Sequence, residues 1–371
     1  MQGRDPEKSA DRGSRLRTGE PIRVLIIDDS LTVRTVFSRM VEADRDMTVA
    51  GTASNAERAI VMLRRMEVDV ILLDLEMPGM GGLEALPKLQ ETAQGAEILV
   101  VSSLTEDGAE HTLAAMSMGA AETMAKPRPG GFDEKYRASL LDKIRALGGR
   151  DPEARKAARS APAGSATATS RMAERRKRPE VVAIGASTGG IHALGIVLRN
   201  LPPDFDLPIF VTQHLPANFM PVLARQVELA SARRTVVADE GTPVLPGEIL
   251  IASGNGHLVV KRRGSSVVTG LSHEIARSGC MPSVDPMLDS LSRCYDGHVL
   301  GVILSGMGRD GVEGAATLVE HGGSIIAQDQ ESSAVWGMPG AVTKAGLASA
   351  VLPPEELALA IRRSVGVPAW R

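Results

Sequence analysis

The feature that most constrains this 371-residue chain is a recurrence: short runs of Val, Ile and Leu, each closing on a polar or acidic residue, separated by longer amphipathic stretches. RVLIIDD (23–29), VDVILLD (68–74) and EILVVSS (97–103) are spaced by helix-like segments such as AERAIVMLRRM (56–66). This is the βαβ rhythm of a parallel sheet, and near-continuous branched aliphatics mean strands covered on both faces. The rhythm lapses near Gly148 and resumes after Pro179 with VVAIGAS (181–187), PIFVTQH (208–214), EILIASG (248–254), HVLGVILSG (298–306) and SIIAQD (324–329). Two doubly wound α/β units are therefore expected, over 22–145 and 180–365, in keeping with about 150 residues per domain.

Between them, residues 146–179 read as a linker, because the stretch 150–179 is rich in Ala, Ser and Thr, carries nine Lys or Arg against three Asp or Glu, and has no apolar period. Its RRKR run (175–178) reads as a solvated charge cluster or a contact for an acidic partner. Residues 1–21 read as a disordered lead-in and 366–371 as a tail. A net charge of -3 and 2% aromatic residues argue against nucleic acid as a partner. Two cysteines, Cys280 and Cys294, offer no disulfide framework and fit a reducing compartment. The charged N-terminus lacks the apolar core of a signal peptide or anchor, and no run reaches the roughly 18 apolar residues of a membrane span. A cytoplasmic protein without membrane insertion is expected.

In open parallel sheets, functional groups gather beyond the carboxyl ends of the strands. In the first unit Asp28 and Asp29 end one strand, Asp74 another, and Ser102 with Ser103 a third, with Lys126-Pro127 further on. Taken singly, these are ordinary caps and turn residues. Together, three converging carboxylates need a cation among them, and an all-oxygen set favours Mg2+. The constellation resembles the receiver domain of response regulators, a flavodoxin-like fold, over residues 22–145. That resemblance implies phosphorylation of Asp74, Mg2+ on Asp28, Asp29 and Asp74, a phosphoryl-sensing Ser102 and a charge-neutralising Lys126. Thr123 stands where such domains often carry an aromatic switch residue, so signalling by an aromatic flip is not expected.

In the second unit, IGASTGG (184–190) follows a strand and opens a helix, and its Gly185-x-Ser187-x-Gly189 spacing allows a sharp turn that exposes a hydroxyl. The same turn would suit a bound phosphate or mere packing. A serine nucleophile needs a base, and His214 ends the next apolar strand; His192 sits on the emerging helix, and the other histidines are not at comparable edges. Asp310 in SGMGRDG follows VLGVIL at a third carboxyl edge, where it is either a turn residue or the carboxylate that orients the imidazole. Gly306, Gly308 and Gly311 would free main-chain N–H groups, that of Met307 included, for an oxyanion.

IGASTGG, TQHLP and SGMGRDG behind a receiver-like unit resemble the chemotaxis protein-glutamate methylesterase family over about residues 22–365, nearly the whole folded chain. The resemblance implies a catalytic triad of Ser187, His214 and Asp310 and hydrolysis of glutamyl methyl esters on the cytoplasmic helices of methyl-accepting chemotaxis receptors, with glutamine deamidation as a second activity. It also implies a CheA-type histidine kinase as phosphodonor, and no cofactor for the ester hydrolysis itself. Cys280-Met281 stands where family members often have His-Arg before Pro-Ser-Val-Asp, and Cys280, with no base assigned beside it, reads as structural. The competing readings are a regulatory module without catalysis and a Gly-rich phosphate or nucleotide binder in which His214 has no part. The two strand-edge sites joined by a linker suggest that the unphosphorylated first unit covers the Ser187 crevice.

Overall fold

The computed structural model describes residues 20–93, 95–102, 106–127, 131–149 and 177–366. Most of the expected lead-in, most of the linker and nearly all of the expected tail lie outside the described residues.

The first unit is a five-stranded parallel sheet in the order β2-β1-β3-β4-β5, from Ile22–Ile27 (β1), Met47–Ala53 (β2), Val70–Asp74 (β3), Glu97–Ser102 (β4) and Glu122–Ala125 (β5). Helices α1 (Leu31–Glu42), α2 (Ala56–Leu63), α3 (Gly82–Ala93), α4 (Glu106–Ser117) and α5 (Glu134–Leu147) cover its faces. Successive side chains of a strand point to opposite faces, and β1 shows the result: Val24 and Ile26 pack with Leu140 and Ile144, whereas Leu25 and Ile27 pack with Leu86 and Leu89. Side-chain oxygens cap the helix starts, Asn55 accepting from Arg58 N at 2.9 Å and Asp133 from Tyr136 N at 2.8 Å. Helix α5 runs two residues past the expected boundary at 145 and closes with Gly148 N donating to Ile144 O at 2.8 Å.

The second unit is a seven-stranded sheet in the order β14-β13-β12-β6-β7-β9-β8, with every pairing parallel. Its strands are Val181–Ala186 (β6), Ile209–Gln213 (β7), Thr235–Ala238 (β8), Ile249–Ala252 (β9), Val299–Ile303 (β12), Ser324–Gln328 (β13) and Ala348–Leu352 (β14). Strand β6 lies between β7 and β12, so the strand order reverses at the strand that precedes Ser187. Such a switch point opens a crevice at the carboxyl edge. Helices α6 (Gly190–Arg199), α7 (Met220–Ser231), α8 (Val284–Cys294), α9 (Val312–Glu320), α10 (Met338–Lys344) and α11 (Pro354–Ser364) complete the layers. The strands beyond the sequence reading are β2, β5, β8 and β14 and an antiparallel hairpin of His257–Arg263 (β10) and Ser266–Ser272 (β11).

The two units share packing. Ala109, Leu113 and Met116 of α4 are buried in one cluster with Ile191 and Leu194 of α6 and Met220 and Leu223 of α7. The described part of the basic run is also packed rather than free: Lys177 Nζ lies 2.9 Å from an Asp296 carboxylate oxygen, and Arg178 donates to Val365 O at 2.5 Å.

Candidate catalytic and phosphoryl sites

Ser187 stands one residue beyond β6 and is 9% exposed. The turn is built for close approach. Its own N–H donates to Ser305 O at 3.0 Å, its carbonyl accepts from Gln213 Nε2 at 3.0 Å and Gly190 N at 2.8 Å, and Gly189 holds φ +74°. A Cβ at Gly189 would meet Ala334 Cβ at 2.6 Å, and one at Gly306 would meet Ser187 Cβ at 2.9 Å, so both sites admit only glycine without displacement. Gly306 thus brings the end of β12 against the serine. The next residue, Met307, is 40% exposed and has an N–H with no acceptor among the described residues.

His214 stands one residue beyond β7, pinned by its N–H to Ala186 O at 3.0 Å. Its Nε2–H donates to Asp310 Oδ2 at 2.7 Å, which leaves Nδ1 as the basic nitrogen. No hydrogen bond joins Ser187 Oγ to His214 among the described residues; catalytic hydrogen bonds are often long before substrate binds. Asp310 is 1% exposed and accepts at both oxygens: Oδ1 from Ser283 Oγ (2.7 Å) and Gly311 N (3.0 Å), Oδ2 also from Val284 N (2.7 Å). Burial alone would raise the Asp310 carboxyl, but the bonds from His214, Ser283 and Val284 hold it well below the usual carboxylate range. Burial likewise works to lower His214, and the contacts with Asp310 and Cys280 override it, lifting the imidazole to about 9. Neighbouring Asp285 accepts from Gly314 N at 2.8 Å and is pushed up to about 7, first by burial and then by the Asp310 charge.

Sequence reasoning missed Ser283 and His257. His257, buried, donates through Nε2 to Glu274 O at 2.8 Å and accepts Ser283 N at Nδ1 (3.0 Å), so it fixes the residue that in turn holds Asp310. The Pro-Ser-Val-Asp segment was the available signal. Cys280, expected from the sequence to have no base beside it, lies close to one: its thiol forms a cluster with His214 and Asp310 in which the candidate ligand atoms all lie within 4.8 Å of one another.

In the first unit Asp28, Asp29 and Asp74 also form one oxygen cluster within 4.8 Å. Lys126 Nζ lies 2.6 Å from Asp74 Oδ2 and 2.8 Å from Asp28 Oδ2. Only the first has hydrogen-bond geometry, so Asp28 Oδ2 is buried without a hydrogen bond. Burial pushes the Asp74 carboxyl up against the opposing pull of Lys126, and the two carboxylates raise Lys126 despite its own burial. Ser102 is buried at the end of β4, and its carbonyl accepts Lys126 N at 2.7 Å.

Residues 182–361 match the CheB methylesterase family and residues 24–132 the response regulator receiver domain. A protein-glutamate methylesterase/protein-glutamine glutaminase of Rhodospirillum rubrum is 40% identical over 93% of this chain and 96% of its own length. A counterpart from Caulobacter vibrioides is 42% identical over 91% of this chain and 96% of its own. The chain belongs to the protein-glutamate methylesterase/protein-glutamine glutaminase family. The crystal structure of the Thermotoga maritima CheB methylesterase catalytic domain is similar over 50% of this chain and 98% of that one, at 36% identity and a TM-score of 0.49.

In this family member the receiver unit lies directly on the serine turn. Gly189 N donates to Ala121 O at 2.6 Å, Thr188 Oγ1 donates to Glu122 Oε2, and His192 Nδ1 donates to Ser117 O at 2.9 Å. Arg225 pairs with Glu110 at 2.6 Å on the rim. Glu122 is held in place by Lys143 Nζ at 3.2 Å. No helix among the described residues is long and apolar enough to cross a membrane.

Proposed function

We propose that this chain is a phosphorylation-regulated serine hydrolase that removes methyl groups from glutamyl esters, and amide nitrogen from glutamines, on the cytoplasmic helices of methyl-accepting chemotaxis receptors. The observation that carries the reading is the 2.7 Å bond between His214 and Asp310 at strand ends flanking the Ser187 turn.

Ser187 Oγ attacks the side-chain carbonyl while His214 Nδ1 takes its proton. Asp310, ionised and saturated with donors, orients the ring and offsets the charge of the imidazolium. The Met307 N–H stabilises the oxyanion. His214 then returns the proton to the departing methoxide or amide nitrogen, giving methanol or ammonia and an acyl-serine. Water, deprotonated by the same imidazole, attacks the ester carbon, and the glutamate carboxylate leaves with Ser187 reprotonated.

In the receiver unit Asp74 accepts the phosphoryl group from a CheA-type histidine kinase. Asp28, Asp29 and Asp74 suit Mg2+: three oxygen donors converge, and buried Asp28 Oδ2 lacks a hydrogen bond. The ion, when bound, offsets phosphoryl charge. Lys126 pairs with the phosphoryl oxygens and Ser102 contacts them. Lys126 follows β5 directly, and the same strand begins at Glu122, next to Ala121, so one strand carries both the phosphoryl contact and the groups that seat on Thr188 and Gly189. Unphosphorylated, the receiver covers the crevice; phosphorylation loosens this seat. Thr123 lies between these contacts and no aromatic flip is required.

The test is methanol release from methylated receptor by the whole chain, with and without a small phosphodonor. Ser187→Ala is expected to abolish turnover and Asp74→Asn to abolish only the phosphodonor response. Full activity in Ser187→Ala overturns the triad, and an unchanged rate with phosphodonor overturns the coupling.

A further inference from the structure

Cys280 is unused by the proposed chemistry, yet its half-exposed thiol faces the two residues that make the serine reactive. A ring nitrogen of His214, Cys280 Sγ and a carboxylate oxygen of Asp310 lie within 4.8 Å of one another. Thiolate, imidazole and carboxylate are the donor types of tetrahedral zinc sites, and three protein ligands leave a fourth position for water. The ligand carriers are preorganised from three elements. His214, just beyond β7, is tied to Ala186 O at the end of β6, Asp310 is held by Ser283, Val284 and Gly311, and Cys280 N donates to Ser278 Oγ at 3.3 Å. Ser278 Oγ in turn donates to Ser283 Oγ at 3.3 Å, so the cysteine loop is joined to the network that fixes Asp310.

We propose that His214, Cys280 and Asp310 form an inhibitory site for a thiophilic divalent cation, Zn2+ being the probe of choice. Binding releases the Cys280 thiol proton to solvent, while the neutral imidazole of His214 keeps its single ring proton and gives its lone pair to the metal. With the imidazole lone pair and the carboxylate both committed to the metal, His214 cannot take the proton of Ser187. The other metal cluster, Asp28, Asp29 and Asp74, contains only oxygen donors and suits a hard cation, so the two sites separate by ligand softness.

The proposal rests on the triad reading for its effect on turnover but not for the binding itself, and the experiment keeps the two apart. Cd2+ is titrated into the full chain carrying Ser187→Ala, with thiolate-to-metal ultraviolet absorption as readout, and the titration is repeated with Cys280→Ala and with Cys294→Ala added. One equivalent of Cd2+ should produce the absorption in Ser187→Ala and in the Cys294→Ala double variant, and the band should be absent with Cys280→Ala. In chains with Ser187 intact, Zn2+ should stop methanol release and a chelator restore it. Cys280→Ala should raise the half-inhibitory concentration by more than the roughly 10–100-fold that loss of a supporting contact costs. A band that survives Cys280→Ala, or inhibition unchanged by it, overturns the site. Turnover persisting in Ser187→Ala would instead overturn the triad, leaving the absorption result to stand on its own.

Discussion

Replacing Asp310 by Asn should damage both stability and rate, although the two side chains are nearly isosteric. Oδ1 receives Ser283 Oγ and Gly311 N, and Oδ2 receives Val284 N and His214 Nε2, so both oxygens face main-chain N–H groups that cannot turn away. Whichever way the amide is placed, its NH2 confronts a main-chain donor. Hydrogen bonds to a charged acceptor are worth about 1.5–3 kcal/mol each and a stranded buried donor costs about 1–3 kcal/mol, so a loss of about 3 kcal/mol or more is expected near pH 7. The sign with pH follows from the direction of the shift. Asp310 is held below its ordinary value, so its contribution is fully present above about pH 3.9 and fades as the medium is acidified through the folded value. The gap between wild type and Asp310→Asn should therefore close in acid. Turnover should fall by about 10,000-fold, the scale seen when the orienting carboxylate of a triad is amidated. Urea unfolding followed by tryptophan fluorescence reports on the second unit through Trp336, which lies between β13 and α10. Wild-type stability and a rate within a few-fold of wild type would refute the claim that Asp310 acts as a saturated acceptor.

With a chelator present, kcat/KM for methanol release should rise with pH through about 9, because His214 must be neutral to act as base and its partners hold it protonated above the usual imidazole range. The stabilisation linked to the same shift is full below about pH 6.5 and is lost as pH climbs through the raised value. Cys280→Ala removes one of the groups that lift His214, so its acid limb should move to lower pH; an unmoved limb would assign the lift to Asp310 alone. Leu113→Ala removes a fully buried side chain from the cluster shared by α4, α6 and α7, at a cost of about 2–5 kcal/mol. Part of that falls on the seat of the receiver, so the rate without phosphodonor should rise, and a rate that does not rise would argue that the covered state does not depend on α4.

What the sequence disclosed and what it hid divide along burial. Strands β1, β3, β4, β6, β7, β9, β12 and β13 are interior, and their unbroken aliphatic runs are visible because both faces need cover. Strands β2, β5, β8 and β14 are the sheet edges, and Met47–Ala53 or Glu122–Ala125 mixes Thr, Gly and Glu with few large aliphatics, so no run stands out. The hairpin of β10 and β11 follows a period of two, outside the βαβ rhythm. Ser187, His214 and Asp310 were legible because each closes an interior strand or follows one closely. The support behind them was not: His257 to Ser283 spans a sequence separation of 26, and Cys280 reaches His214 only through the path of the loop after β11. Neither leaves a periodic trace.

The bond from Gly189 N to Ala121 O joins main chain to main chain. Only proline at position 189 would remove the donor, and its fixed negative φ is incompatible with the +74° held there; any other side chain at Gly189 collides with Ala334. Spontaneous point mutants that free the hydrolase from its receiver should therefore cluster at the flanks, at Glu122, Thr188 or the apolar face of α4, while the central contact is inherited unchanged. Lineages that adjust their adaptation rate would do so by degrees at those flanks, since the middle of the seat offers heredity nothing to edit.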